Sequence, residues 1–350
     1  MELLFWRAQH APNAPAKKVP NSIGPLPGGE GVEGPVAAGV IPYPGAYVRR
    51  GGGNTLEPWQ QHLYRTVLGL TLAAVSTDVV LDAACAWLGQ QRRDWPAAAD
   101  VWRCRQRWPE EKVRLREELV AGTYAVGLLS RVTLRNGEEV DLWAARDAVV
   151  MQALALVLPP HLPLSPRCTH LTGHGGLKHA VREVMAALPR QRFVLKTDVK
   201  SYYASIDHQL LLDRLAVHIA DRQVLQVIGQ YLRRCAERGG LFWEQRQGLA
   251  LGSPLRPLLG ALFLTEVDDA LERLGLFALR YMDDILVLAP TRWKLRQAVK
   301  VVNQGLAALR LDKHPDKTFI GRIAKGFDFL GYHFGPEGLT VAAKTLVNFV

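Results

Sequence analysis

The sequence predicts an α+β fold, an antiparallel sheet backed by helices. Three observations carry this expectation. Residues 276–289 form two short apolar runs broken at Tyr281-Met282-Asp283-Asp284, the pattern of two buried strands joined as a hairpin. Phe193-Val194-Leu195 is a third apolar run, followed closely by Asp198. Helical patterns occupy much of the rest, including an apolar helix over residues 145–158 and an amphipathic one over 292–309.

Taken in order, residues 11–54 hold 18 Gly and Pro among 44, show no periodicity and close on Gly51-Gly52-Gly53. Such a stretch cannot bury enough apolar surface to offset its ordering entropy, so residues 1–54 are expected to be a flexible leader. From Thr55 to about Val120 the spacing of Leu56, Leu63, Val67, Leu70 and Ala74 is helical, and residues 110–119 read as a charged amphipathic helix. Trp59, Trp87, Trp95, Trp102 and Trp108 fall here. They read as core anchors of a helical subdomain, with base stacking on exposed indoles as the sharper alternative. Residues 131–137 end in Asn136-Gly137, a hairpin-turn signal. Gly173-His174-Gly175-Gly176 leads into a helix through Leu188, and its glycines would let a phosphate backbone approach.

Phe193 to Leu195 reads as a strand ending near Asp198, with Asp207 as the N-cap of a following helix. Residues 247–259 are a glycine-bearing loop, with Gly248 and Gly252, that enters a helix through Ser253 and Pro254 as cap and first-turn pair. Two carboxylates at the tip of the Tyr281–Asp284 hairpin would repel each other and be costly to desolvate. A solvated turn is the ordinary reading of a bare Asp-Asp pair; a divalent cation is the other remedy, and Mg²⁺ takes one or two carboxylates plus substrate phosphates.

Composition narrows the partners. At 48% hydrophobic and 22% charged, 350 residues can bury an ordinary globular core, and the net charge of +10 favours a polyanion. Residues 285–350 alone carry ten Lys and Arg against four Asp and Glu, as a phosphate-tracking surface would. Cys85, Cys104, Cys168 and Cys235 have no C-x-x-C spacing, so neither a zinc site nor a disulfide framework is expected. With no run of 18 apolar residues and a first apolar stretch, Leu3 to Trp6, too short for a signal, the expected location is cytoplasmic, with no membrane partner.

The motifs fall in the order and spacing of reverse transcriptases across roughly residues 115–335. Tyr281-Met282-Asp283-Asp284 resembles the polymerase motif of that family. Asp198, followed five residues later by Tyr203, resembles its first catalytic motif, and Gln247-Gly248 through Pro257 resembles its Gln-Gly-x-x-x-Gly-Ser-Pro-Leu-x-Pro segment. The chain is most similar to bacterial enzymes of the group II intron and diversity-generating retroelement lineages. The resemblance implies a right-hand polymerase: a helical N-terminal region and fingers over residues 55–165, and a palm with an antiparallel sheet over 166–335. Residues 336–350 would be the start of a largely absent thumb. It implies RNA-directed DNA synthesis by two-metal phosphoryl transfer from dNTPs to a primer 3′-hydroxyl. Asp198, Asp283 and Asp284, with the Val199 carbonyl, would hold two Mg²⁺ ions, with Mn²⁺ as a substitute. Tyr203 would be a steric gate against a 2′-hydroxyl, with Tyr202 in the core. Gln247 and Gly248 would border the nucleotide, and Lys317 would approach the triphosphate and protonate the leaving pyrophosphate. One departure stands out. The family's basic residue on the fingers strand is replaced here by the neighbourhood Glu138-Glu139-Val140-Asp141, so Arg131, Arg135 or Arg146 would have to supply that charge, and Arg146 is taken as the nucleotide contact. Residues 326–334 resemble the hairpin that grips the primer end. The implied partners are an RNA template, a DNA or RNA primer, dNTPs, and an accessory protein or second chain completing the thumb. The rival readings are a maturase-like RNA-binding protein without catalysis, and untemplated or protein-primed DNA synthesis in phage defence.

Overall fold

A computed structural model describes residues 70–133 and 139–347. The expected leader, the Leu56–Val67 part of the first helical pattern, Trp59, the Asn136-Gly137 turn, Arg135 and residues 348–350 lie outside the described residues.

The N-terminal part is helical: α1 (Leu72–Val75), α2 (Asp78–Gln91), α3 (Asp100–Gln106) and α4 (Trp108–Ala121). Helix α4 starts with Pro109 in its first turn and stops at Gly122, whose φ of 68° supplies the left-handed C-terminal residue. Trp87, Trp102 and Trp108 pack half-buried against the core, and the Arg92 guanidinium lies 4.4 Å from the centre of the Trp95 ring. The anchoring role is therefore the one these indoles fill. Strands β1 (Leu129–Thr133) and β2 (Glu139–Leu142) pair antiparallel, and α5 (Ala145–Val157) follows. Ten of its residues are buried, which explains why its pattern is apolar on every side rather than striped.

After α6 (Gly176–Ala187), β3 (Phe193–Asp198) leads into α7 (Tyr202–Ser205), α8 (His208–His218) and α9 (Arg222–Leu232). The Asp207 carboxylate accepts from the Leu210 N–H and caps α8, as expected. A hairpin that the sequence reading did not anticipate follows, β4 (Cys235–Arg238) and β5 (Leu241–Glu244). Strand β4 pairs parallel with β1, giving a four-stranded sheet in the order β2-β1-β4-β5. Pairing between strands about a hundred residues apart is a tertiary choice, and β5 is exposed along its whole length, so neither strand shows an alternating apolar pattern.

Helices α10 (Leu255–Phe263) and α11 (Thr265–Arg273) precede β6 (Phe277–Tyr281) and β7 (Asp284–Ala289); α12 (Arg292–Ala308), β8 (Phe319–Arg322), β9 (Phe327–Phe329), β10 (Tyr332–Gly335), β11 (Gly338–Val341) and α13 (Ala343–Val347) complete the chain. Pro254, not Ser253, is the N-cap of α10; Ser253 sits one residue earlier, where its hydroxyl accepts from the Leu255 N–H.

A second four-stranded sheet runs β6-β7-β3-β8, antiparallel throughout. Successive side chains of β7 point to opposite faces. Ile285, Val287 and Ala289 enter the main core with α11 and α12, whereas Leu286 and Leu288 enter a second cluster with Val181 and Val184 of α6 and with Phe327, Phe329 and Phe334. Both faces are covered, so β7 reads as an unbroken apolar run. Each fully buried aliphatic side chain there contributes roughly 1.5–3 kcal/mol. The hairpin expected at 326–334 is present as β9 and β10, extended by β11. Among the described residues, no helix is long and apolar enough to cross a membrane.

Candidate active site

Strand pairing brings the carboxylates together. Asp198 ends β3 and lies in register opposite Asp284, the first residue of β7. The turn between β6 and β7 is Met282-Asp283, so only Asp283 occupies the tip; Asp284 belongs to the strand. The Val199 N–H donates to the Asp283 carbonyl at 3.3 Å and joins the two motifs through the backbone. The Asp198 carbonyl accepts from the His314 N–H at 2.7 Å. That bond brings in the 3₁₀ turn Pro315–Lys317, and the Lys317 ammonium binds the Asp198 carboxylate directly. Asp198, Val199, Asp283, Asp284 and Lys317, distant in sequence, thus share one locality.

The electrostatics are those of a site short of cations. Burial first, then the charges of Asp198 and Asp284, push the Asp283 carboxyl up to about 7. Asp284 is pushed up to about 6, by burial first; Asp198 adds to the rise while Lys196 and Lys317 oppose it. The hydrogen bond to Asp198 raises Lys317 above the usual lysine value, against burial. Among the described residues, no group of three or more His, Cys, Asp or Glu is arranged to hold a metal ion as the side chains stand. Asp198 is engaged with Lys317 instead. The donor chemistry nonetheless fits a hard divalent cation: three carboxylates, two of them driven toward protonation by burial and then by neighbouring acidic charge, and one paired with an ammonium.

A second group flanks this one. Tyr203 is buried in α7, and its carbonyl accepts from the Leu249 N–H at 2.7 Å. The Arg256 guanidinium lies 4.1 Å from the centre of its ring. Tyr202 is in the core, as expected, with its hydroxyl on the Gly260 carbonyl. Gly248 has φ +82°, and a Cβ there would stand 2.8 Å from the Ala204 carbonyl oxygen. The Gly248 N–H donates to Ile206 at 2.8 Å, and Gln247 bridges to Asp207 while its side chain stays exposed. Gly248→Ala should therefore cost roughly 1–3 kcal/mol and displace the Tyr203–Ala204 backbone. A urea melt would show the cost; an unchanged midpoint would mean the loop tolerates a side chain.

The structure does not bring Arg146 to the carboxylates. Its guanidinium is committed to Glu111 at 2.7 Å and Glu118 at 2.5 Å, both on α4, and stacks toward Tyr124. Two carboxylates two helical turns apart on α4 already satisfy the guanidinium, and that geometry is invisible in the sequence around Arg146.

Four residues that the sequence reading passed over support the site. Among the described residues, Arg280 is the largest fully buried side chain. Its guanidinium binds the Asp268 carboxylate, the Ala261 carbonyl at 2.9 Å and the Met282 carbonyl at 3.1 Å. His170 accepts from the Met282 N–H through Nδ1 at 3.0 Å. Arg256 covers Tyr203, as noted. The available signal was Arg280 itself, a lone cation in an apolar strand, which requires a buried partner; Asp268 on the preceding helix supplies it.

Comparison with known proteins identifies the family. Residues 147–334 match the family model described as reverse transcriptase (RNA-dependent DNA polymerase). The chain is similar to Protein YkfC of Escherichia coli K12, 25% identical over 269 residues that cover 62% of this chain and 69% of that protein. It is also similar to the putative COX1/OXI3 intron 1 protein of Saccharomyces cerevisiae, 25% identical over 183 residues, 50% of this chain but 21% of the yeast protein. Among solved structures, a chain of the partial Cas6-RT-Cas1–Cas2 complex aligns at 19% identity and a TM-score of 0.42, over 69% of this chain and 42% of that one.

Proposed function

Because the chain belongs to the reverse transcriptase family, we propose that it extends a DNA or RNA primer with dNTPs on an RNA template. The observation that carries this reading is the register pairing of Asp198 with Asp284 beside the Asp283 turn, three carboxylates whose charge Lys317 and Lys196 oppose only in part. In this reading residues 55–165 are the N-terminal region and fingers, and 166–335 the palm.

Asp198, Asp283 and Asp284, with the Val199 carbonyl, would hold two Mg²⁺ ions, for which Mn²⁺ can substitute. Bound there, such ions acidify the primer 3′-hydroxyl and offset the charge of the triphosphate. The 3′-hydroxyl gives its proton to solvent water as its oxygen attacks the α-phosphorus, the bond from that phosphorus to the bridging oxygen of the β-phosphate breaks, and pyrophosphate leaves. Lys317 exchanges its Asp198 partner for the phosphates and gives the leaving pyrophosphate a proton from Nζ. The Gln247-Gly248 backbone borders the base and sugar. Tyr203, backed by Arg256, closes the space that a 2′-hydroxyl would need.

The decisive experiment is primer extension by the purified chain on an RNA template with dNTPs and Mg²⁺. Product complementary to the template, abolished by EDTA, is expected. Absence of incorporation on every primer-template would overturn the reading, and equal product without template would make the protein an untemplated polymerase. Sugar choice gives a further prediction. Tyr203→Ala should raise rNTP use relative to dNTP use, because a bulky ring is replaced by a methyl group. An unchanged ratio in a folded variant would mean that Tyr203 is not the gate.

A further inference from the structure

The peptide of Met282 is held on both sides by residues to which the proposed chemistry gives no task. Met282 has φ 55°, a left-handed conformation that costs an L-residue roughly 1–2 kcal/mol. Its N–H donates to His170 Nδ1 at 3.0 Å, and its carbonyl accepts from Arg280 Nη1 at 3.1 Å. Neither partner is free to move. His170 Nε2 lies 3.2 Å from the Pro257 carbonyl, and its ring meets Tyr281 edge to face at 5.9 Å. An Nδ1 that accepts leaves the proton on Nε2, where Pro257 takes it. Burial and then the Arg280 charge lower His170 to about 4, in keeping with a neutral ring. Arg280 is locked by Asp268 and by the Ala261 carbonyl. The segment bearing His170 is itself bonded to β6, with the Arg280 N–H on the Arg167 carbonyl and the Thr169 N–H on the Arg280 carbonyl, both at 2.9 Å. Pro257 and Ala261 both belong to α10, the helix whose Gly260 also receives the Tyr202 hydroxyl.

Building on the proposed function, we infer that His170 and Arg280 are positioning residues that clamp Met282 in its left-handed state and so aim the Asp283 carboxylate at the cations it would share with Asp284 and Asp198. Adjacent residues cannot change direction independently. If the Met282 peptide relaxes toward negative φ, the Asp283 carboxylate swings away while β7 stays in register. The clamp also ties the turn to α10, so the carboxylates and the Tyr203 wall are referred to one helix.

The test uses three forms of the full chain: wild type, His170→Ala and His170→Asn. The Asn side-chain oxygen replaces Nδ1 as an acceptor; Ala has none. His170→Ala should lower the single-turnover incorporation rate ~10- to 100-fold and raise the Mg²⁺ concentration for half-maximal rate, with RNA binding unchanged. His170→Asn should recover most of the loss. Mn²⁺ affinity measured by electron paramagnetic resonance reads the same geometry without catalysis, and should weaken about 10-fold in His170→Ala alone. Wild-type Mn²⁺ affinity in His170→Ala, or a loss equally deep in His170→Asn, would overturn the clamp. A wild-type chain that binds Mn²⁺ but never incorporates dNTP would overturn the functional reading while leaving the clamp to be decided by the affinity measurement.

Discussion

Asp283→Asn is expected to cut dNTP incorporation by on the order of a thousandfold while RNA binding persists. Asparagine keeps the size of the side chain and withdraws one of three carboxylate charges. The same substitution should affect stability in the opposite sense. The Asp283 carboxyl is raised in the folded protein, from 3.8 to about 7, by burial and by its two acidic neighbours. Its contribution to folding is therefore fully present below the unfolded value and is lost as pH rises through the folded one. Above pH 7, without metal, the ionised group opposes folding, and the neutral amide removes that opposition. At pH 8 the metal-free variant should melt higher than wild type, by ~1 kcal/mol or more. A calorimetric scan beside the incorporation assay makes the pair of results specific, since a variant inactive through misfolding would melt lower. Near-normal polymerisation would sink the assignment of Asp283.

The largest stability effect should come from Asp268→Ala. Asp268 and Arg280 are 5% and 1% exposed, and three hydrogen bonds join them. Burial opposes the Arg280 charge, yet Asp268 outweighs it and holds the guanidinium above its ordinary value. Removing the carboxylate leaves a buried cation with only backbone carbonyls for partners, a change that costs about 3–5 kcal/mol. The urea midpoint should fall accordingly. Replacing both partners, Asp268→Leu with Arg280→Met, should recover most of the stability, because an apolar pair of similar volume needs no counter-charge. A loss below about 1 kcal/mol for Asp268→Ala would show that the cation reaches solvent or another anion.

Much of this protein is legible in its sequence because local chemistry and chain order coincide. Residues 193–198 and 284–289 are strands because their apolar side chains serve two cores at once, and each run is bounded by a polar end. Asp207 caps a helix by a bond that spans three residues, and Gly122 ends one by its own φ. Tyr281-Met282-Asp283-Asp284, Asp198 and the Gln247-Gly248 loop could be singled out because carboxylates and glycines are conspicuous in apolar surroundings.

What only the tertiary structure decided involves partners far apart in the chain. That Asp198 faces Asp284, and that of the two adjacent aspartates only Asp283 lies in the hairpin turn, depends on strand register, and a shift of one residue would turn every side chain to the other face. Arg146 is withdrawn to Glu111 and Glu118 because the fold brings those side chains of α4 within ion-pair reach of the first turn of α5, and nothing near Arg146 in sequence announces the two carboxylates. The parallel pairing of β4 with β1 carries no local signal, since it joins edges that either strand could have left to water. His170 meets Met282 across 112 residues, and a ring that accepts one proton from a strained peptide can be found only once the fold has placed the two side by side.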